Sequence, residues 1–484
     1  MGEEGEEVLE TGVRQLRMAM GMTWGRRLST RNLVRLVDDA LATLEEFGEP
    51  GADVGEVIDG PLNDPEARRD LATRGLRRTA ARLAAQSPFY ARRFTAAGVD
   101  PGRLGLEGLR AIPVTLKRDL VERPDDFQCA DVARYLATRT TGTTGRPAEI
   151  WLSRYEMELW PALGALSSVL RGELLPDDVV QLNVSSRATG SVHLNVAGCR
   201  LVGASCRVIG IVPPEEALDS LADGGATQLA TVSSYLAELE VAARRRGMGP
   251  KDFRLRTISI GGEVLSPSLA RAARETFGVA NITDLFSMTE VVPVFGRRCS
   301  EGHLHFDINR GLVEYLDLET GGPAEPGALA TVVVTPYFPY RDCTPVFRYD
   351  TRDVVRCLPG DARTCELAGL PGTGPIEGKA DLLLRLGPTE VVTPRQFIEA
   401  VEALPTRPWP ARFRAAIHDG RIRLTLPVSA VAGLDRAEVA RHFGDRGLDV
   451  DLALVGDDQA GALRPLRSDL HETTFAARPA LIGA

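Results

Sequence analysis

The spacing of apolar residues predicts two helices in the N-terminal part of the chain. Apolar side chains recur every three or four residues over positions 33–44, which places them on one face of a helix. A second helical pattern, over 74–85, carries arginines on its polar face. A solvated helix face explains these arginines more simply than a partner-binding surface does. We assign residues 1–72 to a helical N-terminal extension.

Short β-like runs alternate with helix-like segments between positions 110 and 378. The clearest runs are 179–183, 207–212, 257–260 and 330–335, and 265–277 is a helix candidate. This alternation predicts an α/β fold, with mixed or parallel sheets in a large domain over 73–378. In such folds ligands bind at the loops that follow the strands.

A stretch rich in glycine and proline, 369–378, indicates the end of this domain. About a hundred residues follow, which is within the usual size of a domain. We expect residues 379–484 to form a small α+β C-terminal domain.

Composition excludes several classes of protein. The chain has 484 residues and a net charge of −9, which argues against binding to nucleic acid or to an acidic membrane surface. Three of its first six residues are glutamate, unlike the start of a signal peptide, and no uncharged apolar run reaches the ~18 residues of a membrane span. Seven cysteines without a secretion signal predict a reducing compartment, the cytoplasm.

Residues 138–147 read Thr-Arg-Thr-Thr-Gly-Thr-Thr-Gly-Arg-Pro. Hydroxyls, cations and two glycines in one loop can surround phosphate oxygens, because glycine lets the backbone approach an anion closely. The loop is not a Walker motif, since Gly-Lys-Ser/Thr is missing.

Four segments in order resemble the adenylate-forming superfamily of acyl-CoA synthetases, luciferases and adenylation domains. They are 140–147, then 258–263 (Ile-Ser-Ile-Gly-Gly-Glu), 285–290 (Leu-Phe-Ser-Met-Thr-Glu) and 348–353 (Arg-Tyr-Asp-Thr-Arg-Asp). Residues 87–90, residues 112–120 and the ending Thr-Arg-Asp are similar to phenylacetate-CoA ligases in particular. The resemblance extends from about position 74 to about position 469.

The resemblance implies a binding site for ATP and Mg²⁺. Thr289 would touch the α-phosphate, Glu290 would bind Mg²⁺, and Asp381 would mark a hinge before the mobile domain. The residues that would contact the nucleotide are Thr140, Thr141, Gly142, Thr143, Thr144, Gly145, Gly261, Gly262, Glu263, Phe286, Ser287, Asp353 and Lys379. Among these, Asp353 would bind the ribose, and Phe286 and Ser287 replace the family's usual Tyr and Gly.

The resemblance fails at one catalytic position near the C-terminus. The family has a lysine there that neutralises charge between the carboxylate and the α-phosphate. This chain has three lysines, Lys117, Lys251 and Lys379, and none follows Lys379. Arg464 or Arg467 could replace it, with different geometry because a guanidinium is planar.

Cysteines and histidines after the third segment form a candidate metal site. The constellation is Cys299, His303, His305, Cys357 and Cys365. Two cysteines and two histidines, or three cysteines and one histidine, can bind a structural Zn²⁺ with no open position. Related ligases carry Cys and His at the first pair and a paired Cys at the second, which favours Cys299, His305, Cys357 and Cys365. The alternative is that these are ordinary buried thiols and surface imidazoles.

The resemblance also implies the substrates. His193, Ser234 and Tyr235 lie in segments that line the acyl pocket of the family. The leading hypothesis is adenylation of a small aromatic acid and transfer to coenzyme A, by a protein that would form a homodimer. The missing lysine leaves open a different acceptor, such as nitrite-dependent diazotisation of an arylamine, amide ligation or phenol adenylylation. A non-catalytic AMP-binding protein is the third hypothesis.

Overall fold

The structure is a computed structural model that describes residues 29–47, 64–140, 147–185, 189–359, 365–387 and 390–460. Its helices are α1 (Thr30–Phe47), α2 (Pro65–Gln86), α3 (Pro88–Ala96), α4 (Lys117–Glu122), α5 (Pro124–Phe127), α6 (Arg154–Leu170), α7 (Thr189–Val202), α8 (Pro214–Asp223), α9 (Ser233–Arg245), α10 (Pro267–Phe277), α11 (Pro394–Glu402) and α12 (Arg436–Gly444).

The strands follow in chain order. They are β1 (Leu136–Arg139), β2 (Glu149–Leu152), β3 (Val179–Leu182), β4 (Ser205–Val208), β5 (Gln228–Thr231), β6 (Thr257–Gly261), β7 (Asn281–Phe286), β8 (Gly296–Arg298), β9 (Leu304–Phe306), β10 (Gly311–Asp317), β11 (Leu329–Pro336), β12 (Tyr349–Arg356), β13 (Gly372–Thr373), β14 (Gly378–Lys379), β15 (Leu384–Arg385), β16 (Val391–Val392), β17 (Arg414–His418), β18 (Arg421–Pro427) and β19 (Val450–Val455).

An eight-stranded mixed sheet, in the order β13-β9-β8-β7-β6-β5-β3-β4, forms the centre of the molecule. Strands β4, β3, β5, β6 and β7 are parallel, and β8, β9 and β13 continue the sheet antiparallel. Helices α8, α9 and α10 bury their apolar faces in one cluster with Ile258 and Ile260 of β6. The predicted α/β fold is confirmed, and the carboxyl ends of β5, β6 and β7 meet at one edge.

The predicted helix over 265–277 forms as α10. Its N-cap is Ser266, whose hydroxyl accepts a hydrogen bond from Leu269 N, and Pro267 occupies the first turn. The run predicted at 207–212 is only partly a strand, since β4 ends at Val208. The cause is that the N–H groups of Ile209 and Gly210 both turn back to the carbonyl of Leu182.

A second sheet, in the order β10-β11-β12-β14, is antiparallel throughout. Residue Thr115, in the N-terminal segment that resembles phenylacetate-CoA ligases, lies beside the start of β12. Its N–H donates to Arg348 O at 2.8 Å and its carbonyl accepts from Asp350 N at 2.9 Å. That segment is therefore attached to the strand that carries Asp353.

The described part of the N-terminal extension is packed against the large α/β unit. Val37 of α1 is fully buried against Ala165 and Val169 of α6 and Val202 of α7. The predicted boundary after residue 72 falls inside α2. Helix α1 thus contributes apolar area to the core that it covers.

The C-terminal residues form a smaller unit with its own core. Strands β17, β18 and β19 make one sheet, and α11 and α12 contribute Phe397 and Phe443 to the apolar cluster beneath it. Val264, from the loop after β6, belongs to the same cluster. The hydroxyl of Ser266 also donates to Glu402, and Arg395 Nη1 donates to Leu265 O at 3.2 Å. None of the helices in the described ranges has the length and apolar content that crossing a membrane requires.

Candidate active site

A cleft of about 1520 Å³ extends along the central strands and includes their carboxyl ends. It brings together ten residues that the sequence assigned to the nucleotide and its magnesium ion: Thr140, Gly261, Gly262, Glu263, Phe286, Ser287, Thr289, Glu290, Asp353 and Lys379. These residues come from five segments that together span more than two hundred positions of the chain. The structure gives their positions, while the ligand atoms that each contacts remain predictions.

The loop after β7 carries Thr289 and the buried carboxylate of Glu290, which is 3% exposed. The loop turns tightly because the N–H groups of Val291 and Val292 both donate to Met288 O. The phenol of Tyr349 donates to Glu290 Oε1 at 3.3 Å. Burial, together with the charge of Glu290, raises the pKa of Tyr349 well above its usual value, so the phenol stays a donor.

Asp353 lies on β12 and is already paired with a cation. Lys379 Nζ is 2.8 Å from Asp353 Oδ2 and 2.9 Å from the carbonyl of Thr351. The pair follows from the register of β12 and β14, which places the two residues directly opposite. A ribose bound to Asp353 would share this carboxylate with the ammonium group.

Arg352, in the Thr-Arg-Asp ending of the fourth segment, has a φ of +61°. This left-handed conformation costs a side chain of the order of 1 kcal/mol. The guanidinium forms ion pairs with Asp381 and with Asp350, the latter at 3.7 Å. Arg352 therefore connects strand β12 to Asp381, the residue that the sequence assigned to the hinge.

In the segment after β6, Gly262 lets the backbone turn and the side chain of Glu263 binds a neighbouring helix. Gly262 has φ +78°, a conformation that glycine adopts without strain. The carboxylate of Glu263 accepts a hydrogen bond from Ser234 N at 2.8 Å, at the first turn of α9. Phe286 borders the cleft, and its ring also packs edge-to-face on Phe306 with 5.1 Å between centroids.

Several assigned residues lie outside the described residues. They are Thr141, Gly142, Thr143, Thr144 and Gly145 of the phosphate loop, and Arg464 and Arg467 near the C-terminus. The two ends of the phosphate loop are described. Thr140 N donates to Ala148 O at 3.0 Å, and Ala148 N donates to Thr140 Oγ1 at 3.1 Å, so the loop closes at its base beside the cleft.

Comparison with known proteins agrees with this arrangement. Residues 135–324 match the family model described as AMP-binding enzyme. The chain is 27% identical to a phenylacetate-coenzyme A ligase of Thermus thermophilus, over 70% of this chain and 76% of the relative. It is 28% identical to that of Pseudomonas putida, over 65% and 71% of the two chains. The chain thus contains an AMP-binding enzyme domain and is similar over about two thirds of its length to phenylacetate-coenzyme A ligases.

Solved structures show the same fold as this chain. A 2-hydroxyisobutyryl-CoA ligase in the postadenylation state aligns with a TM-score of 0.68 at 21% identity, covering 81% of this chain and 87% of the other. A second structure of that protein, with 2-HIB-AMP, has a TM-score of 0.67 at 21% identity and covers 85% and 92%.

The residues that the sequence assigned to the acid do not line the cleft. His193 Nε2 is 2.9 Å from Met157 O, so its ring bridges α7 to α6. The hydroxyl of Tyr235 donates to Val212 O at 2.6 Å, within the apolar cluster behind the sheet. Ser234 contributes its N–H to Glu263. Helix α7 instead turns Ser191 and Asn195 toward the cleft, because they lie one helical turn apart on that face.

Asp284 is a cleft residue that sequence reasoning missed. It lies on β7, two positions before Phe286, and borders the cleft. Burial raises the pKa of Asp284, and Arg298, whose Nη1 is 3.5 Å away, opposes that shift. The signal available in the sequence was the two-residue period of a strand, which places Asp284 on the same face as Phe286.

The candidate metal group differs at one position from the set that the sequence favoured. Cys299, His303, His305 and Cys365 offer ligand atoms that all lie within 4.8 Å of one another. Cys357 is not in this group and lies on the short bridge to Thr373; His303 takes its place. The reason is the tight turn after β8, where His303 N lies 3.2 Å from Cys299 Sγ. His303 Nδ1 is buried without a hydrogen-bond partner among the described residues.

Proposed function

We propose that this ligase activates a small carboxylic acid, most simply an aromatic one, by ATP-dependent adenylation and then transfers it to coenzyme A. The observation that carries the proposal is the cleft that unites Glu290, Asp353 and the Gly261–Gly262 backbone, in a chain similar to phenylacetate-coenzyme A ligases. The small-molecule partners are then the acid, ATP with Mg²⁺, and coenzyme A.

In the first half-reaction an oxygen of the substrate carboxylate attacks the α-phosphorus of ATP. The bond to the β-phosphate oxygen breaks, and pyrophosphate leaves with both electrons of that bond. Bound Mg²⁺ would neutralise charge on the phosphates. Glu290 would provide a carboxylate oxygen for the ion, and the Thr289 hydroxyl would donate to an α-phosphate oxygen. Asp353 would orient the ribose.

In the second half-reaction the thiol of coenzyme A, as thiolate, attacks the acyl carbon, and AMP leaves.

We infer that Arg464 or Arg467 provides the cation that this family places between carboxylate and α-phosphate, because no lysine follows Lys379. R464Q and R467Q should then differ. We expect the variant at the active position to lose adenylation about 100-fold, and the other to keep it. Equal rates for both would contradict this assignment.

The first experiment measures ATP–pyrophosphate exchange with a panel of acids that includes phenylacetate, benzoates and 2-hydroxyisobutyrate. Addition of coenzyme A, followed by mass spectrometry, should reveal one thioester and AMP in equal amounts. Exchange without a thioester would retain the adenylation step and reject coenzyme A as the acceptor. If the protein binds ATP but no acid of the panel supports ATP–pyrophosphate exchange, the acid-activating function is contradicted.

The same assay separates the other reactions. Parallel samples contain nitrite with arylamines, or amines, or phenols, in place of coenzyme A and acid. AMP formation that depends on nitrite and an arylamine would identify a diazotising enzyme. Tight ATP binding with no product in any sample would identify a non-catalytic AMP-binding protein.

We further propose that Cys299, His303, His305 and Cys365 bind a structural Zn²⁺. Two thiolates and two imidazoles suit this ion, and a tetrahedral site places its ligand atoms roughly 3.5 Å apart. Cys365 Sγ and His305 Nε2 are 3.3 Å apart, which is consistent with that spacing. All four positions would be filled by the protein, so the ion would have no open site for catalysis.

Elemental analysis of purified protein tests the zinc proposal with a matched pair of variants. C299S should lose the metal and melt at a lower temperature, because binding energy of a structural ion contributes to folding. C357S should keep one zinc per chain, since Cys357 lies outside the group. Zinc loss in C357S but not in C299S would reverse the assignment.

We also infer a homodimer from the resemblance to related ligases. Size-exclusion chromatography with light scattering measures the mass directly, and a mass near 52.3 kDa would identify a monomer instead.

A further inference from the structure

Arg341 is a charged side chain that the reaction described above does not use. It lies in the segment between β11 and β12, and its side chain has no solvent exposure. Its counter-ion is Glu156 of α6, equally buried, with Arg341 Nε and Glu156 Oε1 3.6 Å apart. Burial lowers the pKa of Arg341 and raises that of Glu156, and each partner's charge acts in the opposite sense. Burying such a pair is costly, so its retention calls for a reason.

The guanidinium binds the backbone of the loop that carries the magnesium ligand. Arg341 Nη1 donates to Thr289 O at 3.3 Å and to Val292 O at 3.2 Å. These carbonyls lie on either side of Glu290 in the chain. Arg341 Nε donates to Thr344 O at 3.1 Å, which fixes the guanidinium plane itself.

The same guanidinium borders the wall of the cleft. Its carbon Cζ lies 5.0 Å from the ring centroid of Trp160, which lines the cleft. The indole N–H of Trp160 donates to Tyr340 O at 2.7 Å, next to Arg341 in the chain. A cation over an aromatic face and a hydrogen bond thus connect Trp160 to the segment that holds the Glu290 loop.

Glu156 is in turn held by backbone donors. Its Oε2 accepts from Ser153 N at 2.7 Å, as part of the capping box that begins α6, and its Oε1 accepts from Asp342 N at 3.0 Å. The pair therefore joins the start of α6, the segment before β12 and the Glu290 loop. These three elements are distant in sequence, and one buried charge pair fixes their spacing.

We propose that Arg341 is a positioning residue that holds the Thr289–Glu290 loop in the geometry required by the phosphates and their magnesium ion. It acts through the carbonyls of Thr289 and Val292 and touches no reacting atom. The proposal rests on the proposed function in that Glu290 is taken as the magnesium ligand. Its distinguishing consequence is a change in magnesium dependence, which a purely structural role would not produce.

The test compares R341K, E156Q/R341M and E156Q with the wild-type protein. Lysine keeps the charge but cannot reach two carbonyls with a planar fork, and the double variant removes both charges together. In both we expect the Mg²⁺ concentration for half-maximal exchange to rise about tenfold, and the turnover number to fall about 100-fold. E156Q keeps the guanidinium bonds to the loop, so its Mg²⁺ dependence should stay within about threefold of wild type.

The matched control is R310K. Arg310 is also an arginine whose side chain is about nine-tenths buried, with its Nε 3.1 Å from Asp307 Oδ2, but it does not border the cleft. We expect its Mg²⁺ dependence to be that of wild type. ATP binding measured by calorimetry in EDTA should be unchanged in every variant, because Arg341 acts on the site of the ion.

Three results would overturn the proposal. One is an unchanged Mg²⁺ requirement in R341K and the double variant. Another is an equal loss of ATP binding with and without Mg²⁺, which would indicate general damage. The third is failure of both variants to fold, judged by thermal melting, which would assign Arg341 to core stability. If the wild type turns over no acid, the proposed function fails, and Mg²⁺-dependent ATP binding still tests Arg341.

Discussion

Glu290 and Asp353 are carboxylates of the same cleft that the fold holds in different ways. Glu290 is almost fully buried, accepts a hydrogen bond from Tyr349, and has its loop held by Arg341 through backbone carbonyls. Asp353 is bound directly by Lys379, at 2.8 Å, on the neighbouring strand.

The difference is that one carboxylate has no cationic partner in the described part of the protein, whereas the other is already paired with one. No cation among the described residues forms an ion pair with Glu290, so its charge is available to a metal ion entering the cleft. Asp353 is neutralised before any ligand binds, and a ribose needs only hydrogen-bond acceptors. We therefore expect Glu290 to determine the rate and Asp353 to determine affinity for ATP.

E290Q should have the largest effect, because it removes the negative charge that we propose binds the magnesium ion. We expect the rate of ATP–pyrophosphate exchange to fall about 1000-fold, equivalent to about 4 kcal/mol. Excess Mg²⁺ should restore part of the rate. E314Q, which alters a carboxylate paired with Arg348 outside the cleft, is the control. A loss that appears only in the Michaelis constant for ATP would contradict the division between the two carboxylates.

Glu402 extends the comparison to a carboxylate held by neutral donors, the hydroxyl of Ser266 and the N–H of Ala411. Burial raises the pKa of Glu402 to about 7. A native pKa above the unfolded value means that the native state binds the extra proton, so stability falls as the pH rises toward 7. E402Q should remove that dependence and gain about 3 kcal/mol on wild type by pH 8.

Urea unfolding of wild type and E402Q between pH 4.5 and pH 8 measures this difference. The two curves should coincide near pH 4.5 and separate as the pH rises. E122Q, an exposed carboxylate at the end of α4, should follow wild type throughout. Parallel curves for wild type and E402Q across the whole range would show that Glu402 does not retain its proton.

D353N should act mainly on binding. Asparagine keeps one carbonyl acceptor but loses the charge and leaves Lys379 without its counter-ion. We expect the Michaelis constant for ATP to rise about 30-fold, or about 2 kcal/mol, with a smaller change in turnover number. Steady-state kinetics with varied ATP measures both constants. D131N, which breaks an exposed ion pair with Arg82, should change neither.

K379M should have the smallest effect if Lys379 serves only to neutralise Asp353. A partly exposed ion pair contributes about 1 kcal/mol or less, so the Michaelis constant for ATP should change less than about fivefold. The measurement is the same titration with ATP. If the Michaelis constant for ATP rises more in K379M than in D353N, the ammonium group touches the nucleotide directly. Lys379, and not Asp353, would then determine the affinity for ATP.

The amino-acid sequence predicted the carboxylates of this cleft better than their surroundings. Glu290 and Asp353 were found because each ends a short motif with fixed spacing, and the strand alternation placed those motifs at one sheet edge. Arg341 and Glu156 were missed, since a buried ion pair between residues 185 positions apart leaves no local pattern.

The same reason explains why the structure places two predicted residues away from the cleft and from the metal group. His193 was assigned to the substrate from its segment, but helix rotation decides which side chains face a cleft, and the ring points to Met157. Cys357 was favoured by analogy over His303, although a tight turn after β8 brings His303 next to Cys299. Side-chain direction is set by packing that a motif does not contain.

Val264 has a consequence for recombination between relatives. It lies in the large unit, next to the Gly261–Gly262 backbone of the cleft, yet it completes the apolar core of the small unit. A chimera joined at the Gly378–Lys379 strand would inherit Val264 from one parent and the core around it from the other. Chimeras that fold should therefore take the 262–266 loop and the C-terminal residues from the same parent, so that Val264 packs against the core with which it evolved.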